Sequence, residues 1–450
     1  MAVKPGRRLT LLQGIRRRAE SGWVLPGDEC NFPRRAIIAH NLTANVIANL
    51  IGGNFFTGLM LVLQADDAFV GSMTILIFAT NLLQLFAPYV LERFERRKSL
   101  LISLKIITHL INIVFVGLIP LFPVQAQTKL VLFGFLIFIV NALNAFMAPG
   151  MSVWHIAHIP GKVRVAYFSL LSMLNGVAVA VFNLLGAILV DSFKRQGMEL
   201  WGLEALRGLA LLIAAADIYA LLHIRELPRA AVQRKINVRD LFVKPWKEKV
   251  YLRSVLVVFL WSLTVNMPGS YYTVYLLREL QVSYSYITGI AAFNVLMLLL
   301  FTPMWRKIYL RYSWLKPLSV AIWMLAPHYF LLAFVSEGLH LLYPIAIIWS
   351  FLCTCGINLA FSSMAYLNLP EQNQTLFVGF FATANNMGAL SAAVFATAFV
   401  SAFSGLRFRL MGVTFGEKQV LMLIVGVLMA GIGFGVRRVF KKNLAAQADV

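Results

Sequence analysis

Asn41, Asn45 and Asn49 recur every four residues in an otherwise apolar stretch, which sets three amides on one helix face. Asn54 follows just after Gly52-Gly53. Three later apolar stretches are dressed in a similar way. One carries Asn141 and Asn144, the next Trp261, Asn266, Tyr271, Tyr272 and Tyr275, and the third Trp349, Asn358, Ser362 and Ser363. An amide supplies donors and acceptors together, and an aromatic face supplies flat apolar contact. That combination suits noncovalent recognition of a neutral or amphipathic organic solute, sugar-like or drug-like. Each asparagine has a second reading, as a hydrogen-bonded link between helices worth about 0.6 kcal/mol on average.

Ionisable groups within the apolar stretches are few. Lys105 and His109 share one helix face, and Asp217 stands about a turn and a half from the end of its stretch. Such groups are functional candidates by default, so these three are candidates for coupling solute movement to an ion. A structural ion pair is the competing reading, and it is favoured for Asp217 and Lys105. His155 and His158, three apart, invite a metal reading. Zinc needs three or four ligands, and no Cys or carboxylate lies near them in sequence. No metal and no cofactor are expected. Cys30, Cys353 and Cys355 are too few and too scattered for a disulfide framework. Asp66-Asp67 is the only aspartate doublet and reads as solvated loop charge.

The elements that must hold these residues are membrane-spanning helices. The chain is 60% hydrophobic and 13% charged, with a mean hydropathy of +0.76. Soluble domains run near 45–50% apolar and about 25% charged. A span needs roughly 20 mostly apolar residues. Twelve stretches qualify: 36–63, 69–91, 99–121, 129–152, 165–191, 203–222, 253–277, 283–305, 314–335, 340–364, 376–403 and 419–438. Pro149-Gly150 and Pro268-Gly269 are expected to bend the fourth and seventh, because proline removes a ladder bond.

The net charge of +21 raises the question of nucleic acid. The bases do not gather on a soluble module, so no nucleic-acid partner is expected. With both termini on one side, that side holds 31 Lys and Arg and the opposite side eight. The positive-inside rule then places both termini in the cytoplasm, in a plasma (inner) membrane, with anionic lipid headgroups as further partners. The expected organisation is a basic tail (1–35), six spans (36–222), a basic loop (223–252), six more spans (253–438) and a short tail (439–450). Arg16-Arg17-Arg18 and the stretch around Val238, Leu241, Phe242 and Trp246 have the composition of short surface helices. No phosphate-binding loop of the Walker form is present.

The two sets of six carry matching markers. Phe86-Ala87-Pro88 and Phe301-Thr302-Pro303 lie 215 positions apart, and each is read as closing an apolar helix. Phe55-Phe56-Thr57 and Tyr271-Tyr272-Thr273 lie 216 apart, and Pro160 and Pro370 lie 210 apart at helix exits. Internal repetition fixes architecture. Because six is even, the halves enter the membrane with the same orientation, as parallel repeats about an axis along the membrane normal.

These features resemble the major facilitator superfamily over all twelve spans. The loop between spans 2 and 3 carries Glu92-Arg93-Phe94 and Arg96-Arg97-Lys98, an acid, a base and a basic cluster as in that family's signature. Pro88 and Glu95 replace its two glycines. The resemblance implies a twelve-helix all-α fold in two pseudosymmetric halves. It also implies alternating access at a midplane site and no enzymatic activity, in a permease expected to act as a monomer. Spans 1, 4, 7 and 10 would line the cavity, which makes Asn45, Asn49, Asn141, Asn144, Asn266, Tyr271, Tyr272, Tyr275, Trp349 and Asn358 the candidate solute contacts. Glu92, Arg93, Arg96 and Arg97 would latch the halves, or serve only as solvated charges. No carboxylate lies on the four cavity spans, which leaves facilitated diffusion or coupling elsewhere. A membrane enzyme on a lipid-like substrate and a non-transporting receptor are the alternatives.

Overall fold

Lipid offers no hydrogen bonds, so a chain this apolar must satisfy its backbone within helices. The computed structural model describes residues 24–25, 27–87, 97–226, 245–312, 315–336, 338–364, 374–410 and 412–447. Twelve long helices follow in order. The first half comprises α1 (Asn31–Val62), α2 (Asp67–Gln84), α3 (Lys98–Leu121), α4 (Ala126–Ile156), α5 (Gly161–Lys194) and α6 (Glu199–Leu222). The second comprises α7 (Tyr251–Glu279), α8 (Tyr284–Arg311), α9 (Leu315–Ala333), α10 (Leu342–Met364), α11 (Gln374–Ala402) and α12 (Glu417–Gln447). Among the described residues nine helices are long and apolar enough to cross a membrane. The number is ten if Tyr284–Leu298 and Leu300–Tyr309, bent by 47°, count as one. The helices α9 and α11 occupy the places of the expected ninth and eleventh spans.

The packing repeats. In the first half α1 packs on α5 and α6, α3 on α4 and α6, and α2 on α4. Six helices later α7 packs on α11 and α12, α9 on α10 and α12, and α8 on α10. Between halves α2 meets α11 and α5 meets α8, two pairings that a twofold axis exchanges. The largest apolar cluster draws on both halves, from Val46 and Phe55 to Tyr272, Tyr284 and Phe415. A second cluster, with Ile37, Leu101, Trp154, Tyr167 and Leu221, belongs to the first half alone.

Proline and glycine act differently from the expectation at several points. The leading helix of each half is broken at the same place. A new helical piece starts at Gly53 in α1 and at Gly269 in α7, 216 positions later, with φ of 51° and 41°. Both values lie in the left-handed region, where a Cβ is penalised. Pro268 thus interrupts α7, whereas α4 runs through Pro149-Gly150 without a break in its helix. Pro303 does not close α8, which continues to Arg311; Pro88 lies outside the described residues. A hairpin of β1 (Phe408–Leu410) and β2 (Val413–Phe415), absent from the sequence reading, joins α11 to α12 and buries Phe415 against Phe334. The proposed surface helices fall outside the described residues, apart from a single turn around Trp246.

Candidate functional site

Helix α1 shows how the amide face is built. The side-chain N–H groups of Asn41, Asn45 and Asn49 donate to the carbonyls of Ile37, Asn41 and Asn45 at 2.7–2.9 Å. Each amide is thus anchored to its own helix rather than to a neighbour. Asn45 is exposed and Asn49 half-buried, with Asn183 of α5 donating to Asn49 at 3.4 Å. The same back-bond holds Asn141 to Ile137, and Asn144 is exposed. The exposed face of α1 carries Arg35, Ala39, Asn45 and Ala48. Among the described residues Phe32 is the one large apolar side chain that α1 exposes, and Leu256 the one that α7 exposes. Helix α6 exposes Trp201, Leu209, Leu211, Leu212, Tyr219 and Leu222. A face without large apolar groups does not suit hydrocarbon.

The second-half candidates divide into two sets. Asn266 is half-buried, ends the first piece of α7 and donates to the Ser262 carbonyl at 2.8 Å, and Asn358 is exposed on α10. The tyrosines are buried and spend their hydroxyls on packing. Tyr272 donates to the Leu332 carbonyl, Tyr275 to the Val335 carbonyl and Tyr271 to Thr397. The Trp349 indole donates to the Met324 carbonyl at 2.7 Å. These four tie α7 and α10 to α9, to Val335 just after it and to α11.

The coupling candidates come together around a fully buried carboxylate. Asp217 Oδ2 lies 2.9 Å from His109 Nε2, Oδ1 lies 2.8 Å from His40 Nδ1, and the Thr43 hydroxyl donates to Oδ1 at 2.6 Å. Lys105 stands one turn before His109 on α3. His155 reaches in from α4, its ring edge-on to that of His40 with centroids 5.1 Å apart. No group of three or more His, Cys, Asp or Glu among the described residues is arranged to hold a metal ion.

Polar contacts between described residues of the two halves gather at the end distant from the termini. Asp67 pairs with both Arg278 and Lys418, and Lys418 also pairs with Glu279. Asp67 is therefore a bridge between halves, not the solvated loop charge its sequence suggested, and Asp66 caps α2 by accepting from the Phe69 N–H. Asp191, at the end of α5, accepts the Tyr284 and Ser285 backbone N–H groups at 2.9 and 2.7 Å, at the start of α8. A carboxylate on a helix N-terminus is a favourable charge–dipole contact. Tyr284 also donates to Glu199 and stacks on Phe55, while Gly58 leaves the space its ring fills.

The profile of the Major Facilitator Superfamily matches residues 42–393. The chain belongs to that superfamily. No curated protein matches it in sequence. Its fold is similar to that of a variant of the nucleoside transporter NupG, with a TM-score of 0.68, 12% identity, and coverage of 91% of this chain and 100% of that one. It is also similar to a bacterial homologue of the human lysosomal transporter Spinster, with a TM-score of 0.65, 17% identity and 92% and 99% coverage. A D-xylose-proton symporter gives 0.64, 12% identity and 89% and 96% coverage. The protein is a membrane transporter working by alternating access, not an enzyme.

For this transporter Glu92, Arg93 and Arg96 lie outside the described residues. Arg97 precedes α3, where Glu226 accepts the Arg97 and Lys98 backbone N–H groups at 2.6 and 3.1 Å. Sequence reasoning missed His40 and Thr43 because each lies more than 170 positions from Asp217. Arg34 was counted with the basic 1–35 tail. Arg34 is fully buried, donating to the His158 carbonyl and Asn31 and pairing with Asp28. Asp191 carried no local signal, because its partners are backbone amides of the other half.

Proposed function

We propose that this transporter carries a neutral, polar organic solute between its halves, with Asn45, Asn49, Asn141, Asn144, Asn266 and Asn358 along the route. One observation supports the reading above the others: beyond Phe32 and Arg35, the exposed positions of α1 hold Asn45 and small side chains, where a lipid-facing helix presents large apolar ones. The sequence also has no Asp or Glu within α1, α4 or α10, and in α7 only Glu279 at its distal end. A cationic solute would lack a counter-charge on such a path, whereas amides pair with hydroxyls and carbonyls equally well. The back-bonds of Asn45, Asn49, Asn141 and Asn266 fix those amides before a solute arrives and lower the ordering cost of binding.

The distal seal of Asp67, Asp191 and Tyr284 fits a state closed at that end, with the route open toward the termini. Glu92, Arg93, Arg96 and Arg97 are proposed to latch the terminus-bearing end in the opposite state, anchored by the Glu226 contact to α3. The charge asymmetry supports cytoplasmic termini in the plasma membrane and a basic 1–35 tail and 223–252 loop against anionic lipid, and the transporter is proposed to act as a monomer.

The test is flux in ATP-free reconstituted vesicles. A nucleoside and D-xylose, named for the structural neighbours, are the first probes, followed by ligands found by thermal shift. Asn45→Ala, Asn266→Ala and Asn358→Ala are each expected to reduce flux of a bound ligand while the protein stays folded. If flux of every bound ligand survives all three changes unaltered, the route lies elsewhere.

A further inference from the structure

We infer that the His40–Asp217–His109 cluster is a proton-binding site, and that its occupancy is linked to the position of α1 during the transport cycle. The inference rests on the transporter reading and adds a proton to it.

The geometry fixes the protons. An ionised carboxylate only accepts, so the nitrogens facing Asp217, His40 Nδ1 and His109 Nε2, must carry the hydrogens. Two neutral rings then keep their lone pairs on His40 Nε2 and His109 Nδ1. The site holds one negative charge, on a fully buried carboxylate, and two ring nitrogens left to accept a proton. A proton arriving on either ring makes an imidazolium already paired with a carboxylate, and no heavy atom has to travel.

A second observation points the same way. His155 Nε2 is buried and makes no hydrogen bond among the described residues. An orphaned buried nitrogen is costly and calls for an explanation. His155 is half-exposed, and its ring lies edge-on to His40. It stands where a proton would pass between the cluster and the face of α4.

The ionisable groups around the site are few. Helix α1 brings His40, α3 brings Lys105 and His109, α4 brings His155 and α6 brings Asp217. Helix α5, which also packs on α1, has no ionisable residue between Phe168 and Phe182. One added proton changes the net charge of the whole group.

Thr43 connects this chemistry to the solute route. Its single hydroxyl hydrogen can go to Asp217 at 2.6 Å, or back to the Ala39 or His40 carbonyl at 2.9 and 3.0 Å, but to one at a time. With the carboxylate uncompensated the hydroxyl braces α1 against α6. With a proton bound nearby it is free to fold back on its own helix. The exposed Asn45 lies on the same helix two residues later. Protonation therefore changes how tightly the amide-bearing helix is held.

Two readouts test this without a transported solute. The first is ring-nitrogen NMR of the full-length protein in lipid nanodiscs, labelled at histidine and assigned with His40→Gln and His109→Gln. The expected result is the stated pair of tautomers, with at least one ring changing charge as the pH is lowered. The second is the labelling rate of Asn45→Cys by a hydrophilic maleimide. The native cysteines are replaced, and Gln196→Cys corrects for thiol ionisation. That corrected rate is expected to depend on pH, and Asp217→Asn and Thr43→Val are expected to lose the dependence. Rings that keep one tautomer and charge throughout, or a dependence that survives both substitutions, would overturn the proton site. Loss of all flux with these readouts intact would instead count against the solute route.

Discussion

The crossing of α3 on α6 and its repeat, the crossing of α9 on α12, use one backbone plan for opposite chemistry. Asp217 sits at the first crossing with two imidazoles against it. The position 216 residues later, the offset that separates Phe55 from Tyr271, is Gly433. There the helices are so close that a Cβ would stand 2.6 Å from the Trp323 backbone nitrogen, and Ser319 donates to the Gly433 carbonyl at 2.6 Å. One copy keeps a polar chamber, and the other has closed it with backbone. Duplication supplies the geometry twice, but an ionisable group is costly in hydrocarbon and is retained in one half.

The comparison can be broken most forcefully by moving the carboxylate across. Gly433→Ala alone overpacks a tight crossing and is expected to cost about 1–3 kcal/mol. Gly433→Asp adds an unpaired buried charge, worth several kcal/mol more, and should not accumulate as folded protein by size-exclusion chromatography. Next in size is removal of the native carboxylate. Asp217→Ala strands two imidazoles, and should cost about 3–5 kcal/mol in thermal unfolding. Replacing the whole set, His40→Leu, His109→Leu and Asp217→Leu together, should recover much of that loss, because apolar substitutes for buried ion pairs are often neutral or stabilising. If the triple variant is no more stable than Asp217→Ala, the polar chamber has a structural role and the contrast between halves is wrongly drawn.

A smaller effect is expected at the distal seal. Asp191→Asn weakens charge-assisted hydrogen bonds worth about 1.5–3 kcal/mol each. It should shift the population away from the distally closed state, read as slower maleimide labelling of Asn45→Cys. Unchanged labelling would show that the α5–α8 contact does not set the balance. The smallest effect is on stability at Asn45. Its back-bond lies on an exposed face, so Asn45→Ala should move unfolding by within about 0.5 kcal/mol, even where flux falls.

Much of the fold was legible because it depends on local or periodic properties. Twelve apolar stretches and the 216-position offset gave the duplicated bundle, and the Gly52-Gly53 and Pro268-Gly269 dipeptides mark where α1 and α7 break. Asp217 and His109 stood out as ionisable residues in apolar surroundings. What joins them was not legible. His40 looked like one more residue at the start of a span, and its partner lies 177 positions away. Asp67 and Asp191 were opaque for the same reason, since Arg278, Lys418 and the start of α8 reach them only through the tertiary fold. The tyrosine hydroxyls of α7 are a further case, bonded to the Leu332 and Val335 carbonyls and to Thr397, contacts that no local pattern shows.

The paired interruptions at Gly53 and Gly269 give each leading helix a swivel at matching depth. A continuous rod carries bending from end to end, while an interrupted one does not. The short caps beyond the swivels touch each other, with Thr273 donating to Asn54, while Ser270 of the second cap faces Thr74 of α2. The second cap is also pinned through Tyr271, Tyr272 and Tyr275 to Thr397, Leu332 and Val335, so any tilt of the linked stubs carries their neighbours with it.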